Sequence, residues 1–315
     1  MPMKYGQVAG IGKPVSRLVQ GCTGISLKNP GPSAELLDAV FALGCTAFDT
    51  ALVYGGGDSE RMLGKWIADR GLREKVVVIT KGAHHNADRK RVTSFDIAAD
   101  LHDSLARMKT PYVDLYLLHR DDPDVPVGPI VEALNEQRAA GRIRAFGGSN
   151  WGHQRLAQAN EYAQKHGLTG FAASSPNFCL AVQREPPWAG CVSISGPDQR
   201  DARQWYRRTQ MPIFSWSSLG GGFLSGAFSR ANRDSMTGPN EQATLKVYGS
   251  DESFDRLEWA QKVAAELGLA VPQAALAWIF NQGLDVYALT ACRTGQEMAD
   301  NIRALEAKLP ANPYK

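Results

Sequence analysis

One pattern repeats along the chain: a short apolar run, then turn residues, then an amphipathic segment of helical length. The runs are too continuously apolar to alternate between buried and exposed faces, which is typical of parallel strands covered by helices. Eight runs occur, over residues 17–21, 46–49, 76–81, 113–119, 144–149, 171–175, 212–216 and 285–290. Eight strand-helix units favour a closed (β/α)8 TIM barrel over an open α/β sheet. Before them, glycines between β-prone runs at 4–9 and 14–19 predict an N-terminal β-hairpin.

Segments with helical period lie between the strands, and most are followed by a glycine. They cover residues 33–43, 58–70, 94–108, 127–140, 154–166, 254–267 and 272–281. Ser33, Asp58 and Ser94 are the expected N-caps, and the trailing glycines suit the left-handed residue that ends many helices. The longest interval between strands runs from residue 212 to residue 285. It predicts a functional loop over 217–251 and an extra helix between strands seven and eight.

Length and composition exclude several classes of protein. The 315 residues are consistent with one barrel domain over 1–315, and 35 basic against 32 acidic residues make nucleic acid an unexpected partner. No apolar run approaches the ~20 residues that span a bilayer, and residues 1–12 lack a signal-peptide apolar region. Five scattered cysteines form no CxxC pair. We therefore expect a cytoplasmic protein, a monomer or homo-oligomer, without a membrane or nucleic-acid partner.

Polar and charged residues recur where each apolar run ends or shortly after it. In barrels of this type the C-terminal ends of the strands build the active site. The residues at these positions are Asp49, Lys81, His119, Ser149 with Asn150, Ser175, Trp216 and Arg293. An acid, a base and an imidazole at equivalent strand ends indicate a catalytic face.

These residues also lie in motifs that resemble the aldo-keto reductase superfamily. The stretches FDTALVYG at 48–55, ITK at 79–81 and DLYLLH at 114–119 carry the resemblance, together with GGSN at 147–150, SWSSLGGG at 215–222 and residues 293–301. The likeness extends over essentially the whole chain.

The resemblance implies a carbonyl reductase with four catalytic residues. Tyr54 would donate a proton to the carbonyl oxygen as hydride arrives at carbon. Lys81, held by Asp49, would lower the pKa of that tyrosine from its usual value near ~10. His119 would hydrogen-bond and orient the carbonyl oxygen. No metal is needed for this division of roles.

The resemblance further implies a nicotinamide cofactor, with NADPH preferred and NAD possible. Ser149 and Asn150 would bind the carboxamide, Trp216 would stack on the nicotinamide ring, and the glycine-rich segment would approach the pyrophosphate. Arg293 could bind a 2′-phosphate, whereas Glu297 would repel it or bind ribose hydroxyls. Ser175 stands where many family members have glutamine. The full expected cofactor set is Cys22, Thr23, Asp49, Ser149, Asn150, Ser175, Trp216, Ser217, Leu219, Gly220, Gly222, Arg293, Glu297 and Asn301.

Three functions remain open from the sequence. The first is reduction of an aldehyde, ketone or sugar carbonyl, the second a nicotinamide-binding regulatory subunit, and the third a Schiff-base aldolase using Lys81. His84 and His85 are expected at the substrate rim or in solvent rather than on zinc. The segment 120–122 is expected to be a solvated turn, with contact to a polar substrate as the lesser alternative. Trp188 could either form a pocket wall or lie in a surface loop.

Overall fold

The parallel strands close into a barrel in the computed structural model, which describes residues 1–311, 313 and 314. A small antiparallel hairpin precedes the barrel, and its two strands pair only with each other. The hairpin consists of β1 (Tyr5–Gly6) and β2 (Val15–Ser16). The barrel strands are β3 (Leu18–Gly21), β4 (Ala47–Asp49), β5 (Val77–Gly82), β6 (Val113–Leu118), β7 (Ile143–Ser149), β8 (Ala173–Ser175), β9 (Ile213–Ser215) and β10 (Val286–Thr290). The strands follow one another around the barrel in chain order, and β10 pairs with β3 to close it. The predicted (β/α)8 architecture is confirmed.

Each barrel strand is buried on both faces, which explains why the runs read as continuously apolar. On β5, Val77 and Ile79 pack inside the barrel with Leu115 of β6. Val78, between them, faces the outer core against the helices, as does Tyr116. Parallel sheets covered by helices have no wet face, so their strands cannot show an in-out polar pattern.

Ten α-helices surround the barrel among the described residues. They are α1 (Pro30–Ala42), α2 (Asp58–Arg70), α3 (Ser94–Met108), α4 (Val127–Ala139), α5 (His153–Lys165), α6 (Arg200–Thr209), α7 (Pro239–Tyr248), α8 (Asp251–Leu267), α9 (Val271–Phe280) and α10 (Gly295–Ile302). The sequence did not predict α6, α7 or α10. All three are short, at 10, 10 and 8 residues, and α7 falls inside the segment expected to be a loop.

The three predicted N-caps are wrong, although α2 and α3 begin at residues 58 and 94 as predicted. Helix α1 begins at Pro30, three residues before Ser33, because proline is well suited to the first turn. Helix α2 follows Gly57, so Asp58 lies inside its first turn rather than at the N-cap. The N-cap of α3 is Thr93, one residue before Ser94, and its hydroxyl accepts from the amide of Asp96.

The predicted glycine terminators are confirmed by their backbone angles. Gly71 and Gly268 are the C-caps of α2 and α8, with φ values of 60° and 62°. Gly44, Gly141 and Gly167 lie one residue beyond their caps, also with positive φ. These positions favour glycine because it has no Cβ to strain the left-handed conformation.

The hairpin covers the N-terminal end of the barrel. Lys13, between β1 and β2, donates to the carbonyl of Val76 just before β5. Its ammonium also lies 2.6 Å from Asp114 of β6, which Arg73 contacts at 2.9 Å. The cover leaves the opposite, C-terminal end of the strands as the face that carries the polar residues.

No single helix of the described residues is long and apolar enough to cross a membrane. Helices α8 and α9 meet that test of length and composition only when taken together, and they are bent by 101° at their junction.

Candidate active site

A cavity of about 870 Å3 opens at the C-terminal ends of the barrel strands. The expected site residues that line it are Thr23, Asp49, Tyr54, Lys81, His119, Ser149, Asn150, Trp216, Ser217, Leu219, Gly222, Arg293, Glu297 and Asn301. Cys22, Ser175 and Gly220 lie outside this lining, and all three are buried in the wall behind it. The strand ends therefore bring most of the residues inferred from sequence into one cavity.

An acid, an ammonium and a phenol meet at the base of the cavity. Asp49 ends β4, and Lys81 lies near the end of the neighbouring strand β5. The Lys81 ammonium donates to Asp49 Oδ1 at 2.6 Å, to the carbonyl of Thr50 at 2.9 Å and to the Tyr54 hydroxyl at 3.2 Å. Its three protons thus have three oxygen partners, two of them on groups that can change protonation state.

A tight turn brings Tyr54 back over the end of β4. Tyr54 begins a 3-10 turn that continues through Gly55 and Gly56, with φ values of 57° and 65°. The left-handed conformation is inexpensive for these two glycines, so the chain can reverse directly after the tyrosine. Gly57 then leads into α2.

Burial decides the protonation of Tyr54. It raises the pKa of the phenol by more than the Lys81 charge lowers it. The expectation of a lowered tyrosine pKa is therefore wrong in direction, because the sequence showed the cation but not the loss of water. A raised pKa keeps the phenol protonated at neutral pH, as a proton donor requires.

His119 lies at the end of β6, beside the phenol. The rings of His119 and Tyr54 meet edge to face with their centroids 5.8 Å apart. Burial, with the charge of Lys81, holds the pKa of His119 well below its usual value, so the imidazole is neutral. The His84 ring packs on its other side at 4.9 Å, and His84 lines the cavity as the rim residue expected from sequence.

The end of β7 carries two of the expected cofactor residues. Asn150 adopts a left-handed φ of 58°, while its amide N–H donates to the Ser175 carbonyl. Its side-chain amide donates to the carbonyl of His119 at 3.2 Å. Ser149 donates its hydroxyl to the Ser175 carbonyl at 3.0 Å. Ser175 thus supports this pair through its backbone, while its own buried hydroxyl has no partner.

Trp216 follows β9 and forms a flat wall of the cavity. Its indole packs on that of Trp188, with centroids 5.0 Å apart and planes inclined by 30°. The indole nitrogen of Trp216 is buried and has no hydrogen-bond partner. Trp188 also lines the cavity, so the pocket-wall alternative for this residue holds.

A glycine turn after β9 exposes backbone to the cavity. Gly220–Gly222 form a 3-10 turn, and all three have positive φ. A Cβ added to Gly222 would meet no atom within 4 Å, so the backbone there borders open space. Thr244 of α7 donates to the Gly221 carbonyl at 3.1 Å. The segment that was not expected to be helical therefore supports the turn.

At the outer end of the cavity Arg293 is already paired. Its guanidinium lies 3.0 Å from Glu297, and its backbone amide donates to the same carboxylate at 2.8 Å. The arginine side chain is 87% exposed. An incoming phosphate would therefore have to share Arg293 with Glu297 rather than simply meet repulsion from the acid.

Sequence reasoning undervalued one charged residue. Arg120, expected in a solvated turn, is half-buried and lines the cavity directly after His119. Its position after β6 was the available signal. Other lining residues received no prediction at all, among them Gly21, Val53, Ser218, Gln273, Thr290 and Asp300.

The chain matches the model of the Aldo/keto reductase family over residues 23–315. "Uncharacterized oxidoreductase YrpG" of Bacillus subtilis is 27% identical, over 98% of this chain and 92% of its own length. Two Schizosaccharomyces pombe relatives are "Aldo-keto reductase yakc", whose name includes NADP(+), and a "Putative voltage-gated potassium channel subunit beta". The first is 26% identical over 92% of this chain and 83% of its own length. The second is 27% identical over 86% of this chain and 78% of its own length.

A solved structure shares the fold. The crystal structure of a thermostable aldo-keto reductase in complex with the inhibitor epalrestat superposes with a TM-score of 0.72 at 22% sequence identity. The match covers 98% of this chain and 96% of the other. The chain therefore belongs to the aldo/keto reductase family, and it is an oxidoreductase that acts on carbonyl or alcohol groups.

Proposed function

We propose that the protein reduces an aldehyde, ketone or sugar carbonyl to the alcohol with NADPH, and that Tyr54 is the general acid. One observation carries the proposal: the Lys81 ammonium joins Asp49 at 2.6 Å to the Tyr54 hydroxyl at 3.2 Å inside the cavity. The reaction is reversible, since the phenolate form of Tyr54 can take the proton back from an alcohol.

In the proposed reaction the bound NADPH supplies a hydride to the carbonyl carbon. The carbonyl π electrons move to oxygen, and the Tyr54 hydroxyl gives that oxygen its proton. Lys81 stabilises the phenolate that remains, because its ammonium already donates to the tyrosine oxygen. Neutral His119, whose ring meets that of Tyr54, would donate a hydrogen bond to the carbonyl oxygen and orient it.

The residues around the cavity fit a nicotinamide dinucleotide. The indole of Trp216 offers a flat face to the nicotinamide, and Ser149 and Asn150 offer polar groups to its carboxamide. Gly222 borders open space without a side chain, so a pyrophosphate could approach its backbone. We assign Thr23, Ser217, Leu219 and Asn301 to the same site because they line the cavity. The phosphate preference for NADPH rests on Arg293.

An aldolase using Lys81 is disfavoured by the surroundings of its ammonium. A Schiff base forms only from a neutral amine, so the lysine would need a lowered pKa. Burial does lower the pKa of Lys81, but Asp49 and Tyr54 together raise it more, and the net direction is upward. All three ammonium protons are also engaged.

A regulatory, non-catalytic role is the other alternative, since one relative is named as a potassium channel β subunit. The Asp49, Tyr54, Lys81 and His119 set argues for catalysis. The deciding experiment follows NADPH absorbance with a panel of aldehydes, ketones and sugars. Tyr54→Phe should lose at least ~100-fold in kcat.

The control for this test is Tyr162→Phe, which removes the hydroxyl of a half-buried tyrosine on α5 that donates to Glu132. It should retain full activity. Circular dichroism and thermal melting should show that both variants fold. If folded wild-type protein reduced no carbonyl in the panel, or Tyr54→Phe kept its activity, the proposed function would fail.

A further inference from the structure

We propose that Arg120 binds an anionic group on the substrate, so that the preferred substrates are aromatic aldehydes or ketones that carry a carboxylate. This inference rests on the proposed carbonyl reduction and specifies its substrate class. The cavity contains one cation, Arg120, that has no carboxylate beside it among the described residues.

Arg120 has no ionic partner among the described residues. No carboxylate lies within ion-pair distance of its guanidinium, and its Nη1 is buried without a hydrogen-bond partner. Burial lowers the pKa of this group, and only the weak acids Cys191 and Tyr54, rather than a carboxylate, offset part of the effect. Taking a guanidinium out of water without a partner is costly, so a binding partner is expected when the site is filled.

Other arginines that are partly buried in this fold have an ionic partner or at least hydrogen-bond partners for the guanidinium. Arg73 contacts Asp114, Arg107 contacts Glu60, and Arg155 contacts Asp121. Arg203, which has no acid, donates to two backbone carbonyls instead. Arg120 therefore stands apart, and it does so inside the cavity where a small molecule would bind.

The side chain of Arg120 is held in place by its neighbours. Its carbonyl accepts from the indole of Trp151 at 3.2 Å, which fixes the backbone after β6. Its guanidinium lies over the ring of Trp188, 4.7 Å from the centroid. A guanidinium stacked on an aromatic face keeps its N–H groups in a fixed plane, which suits bidentate contact with a carboxylate.

The aromatic part of the proposed substrate follows from the other walls. Trp188 lies between Arg120 and Trp216, and His84 and His119 face the same cavity. Flat rings on several sides favour a flat substrate through stacking and edge contacts. Arg120 directly follows His119 in the chain, so an anion on Arg120 leaves the other end of a small ring near the imidazole and the phenol.

No aspartate or glutamate side chain of the described residues competes with the substrate anion for Arg120. Asp49 lies at the substrate end of the cavity, but it is paired with Lys81, so this ion pair has no net charge. Glu297 and Asp300 belong to α10 at the outer end of the cavity. The excess charge beside the catalytic group is thus the single positive charge of Arg120, a field that attracts anions.

The test compares 4-carboxybenzaldehyde and its 3-carboxy isomer with the corresponding neutral methyl esters, using NADPH and the full-length protein. Wild type should prefer the carboxylates by about tenfold or more in kcat/KM, the range expected of a charge-assisted contact. Arg120→Met should abolish that preference, because it should lower kcat/KM for the carboxylates about tenfold more than for the esters, mainly through KM. Lys165→Met, which removes an exposed cation on α5, should leave the preference unchanged.

A second measurement separates this proposal from the proposed function. Benzoate binding, followed by quenching of tryptophan fluorescence, should weaken about tenfold or more in Arg120→Met and stay unchanged in Lys165→Met. If esters and carboxylates are reduced equally well by wild type, the carboxylate proposal fails while carbonyl reduction stands. If no aldehyde is reduced but benzoate binding depends on Arg120, the anion site stands and the proposed function fails. Benzoate binding that is equal in wild type and Arg120→Met overturns the anion site.

Discussion

Asp49 and Lys81 form a buried ion pair, with 2.6 Å between carboxylate oxygen and ammonium nitrogen and only 3% of either side chain exposed. Each charge lies out of water and depends on the other. The same ammonium reaches the Tyr54 hydroxyl. In the proposed reaction, stability and catalysis would therefore be coupled through the Lys81 ammonium nitrogen.

Lys81→Met should lower kcat by at least ~100-fold, because the phenolate left by Tyr54 would lose its counter-charge. The variant should also be less stable by about 3–5 kcal/mol, since Asp49 stays buried without a partner. Urea unfolding measures the second effect. The double variant Asp49→Asn with Lys81→Met should recover part of the free energy of unfolding but none of the activity. A double variant as unstable as the sum of the single variants would contradict the coupling.

The pH profile of carbonyl reduction should be flat across neutral pH. Reduction needs protonated Tyr54, and its raised pKa keeps the proton in place well into alkaline solution. His119 stays neutral down to acid pH, because its pKa lies well below the usual value of 6.5. We expect a constant kcat for reduction from about pH 6 to about pH 9, measured at saturating NADPH.

The reverse reaction should behave oppositely. Alcohol oxidation with NADP⁺ needs the phenolate, so its rate should rise with pH through this same range. Rates measured after return to neutral pH control for inactivation. A reduction kcat that fell with an apparent pKa near 7 would contradict a raised pKa for Tyr54.

Cofactor choice should respond to the pair formed by Arg293 and Glu297. Glu297→Gln removes the negative charge 3.0 Å from the guanidinium, so the ratio of kcat/KM for NADPH over NADH should rise several-fold. Arg293→Met should lower kcat/KM for NADPH by about tenfold and leave NADH nearly unchanged. Lys262→Met, an exposed cation on α8, serves as the charge control. If Arg293→Met affected both cofactors equally, the 2′-phosphate role would be excluded.

Gly147 should be among the positions least tolerant of a side chain. A Cβ there would lie 2.1 Å from the carbonyl oxygen of Ala173 on β8, a backbone atom that cannot turn away. We expect Gly147→Ala to cost more than about 3 kcal/mol in the free energy of unfolding. Gly12→Ala is the matched control, since nothing lies within 4 Å of its Cβ. Equal melting temperatures for the two variants would show that β7 and β8 can separate.

The barrel was predictable because its strands are buried on both faces, so that strands such as β5 and β6 are mostly apolar along their length. The N-cap residues of the helices were harder to predict from the sequence. Ser33 looks like an N-cap, but Pro30 begins the helix a turn earlier, and both residues suit a helix start. Helix α6 has only 10 residues, fewer than three helical turns, which makes it easy to miss in the sequence.

The candidate site, like the fold, was only partly predictable from the sequence. The motifs predicted that Lys81 lies next to a tyrosine. The direction in which the pKa of Tyr54 shifts depends on burial, which the motifs do not reveal. Arg120 shows the same limit. Arg120 has no carboxylate partner, and this property comes from the assembled fold rather than from the adjacent residues in the sequence.

The positions of the candidate site residues around the barrel affect how descendants of this chain can change their substrates. Asp49 and Lys81 lie at the ends of β4 and β5, and Tyr54 follows β4, whereas Trp188 and Trp216 follow β8 and β9 on another part of the rim. In the proposed reaction, proton transfer and ring recognition therefore depend on separate segments of one scaffold. Descendants of this chain can exchange the loop that carries Trp188, and so acquire new substrates, while inheriting the proton-transfer apparatus intact.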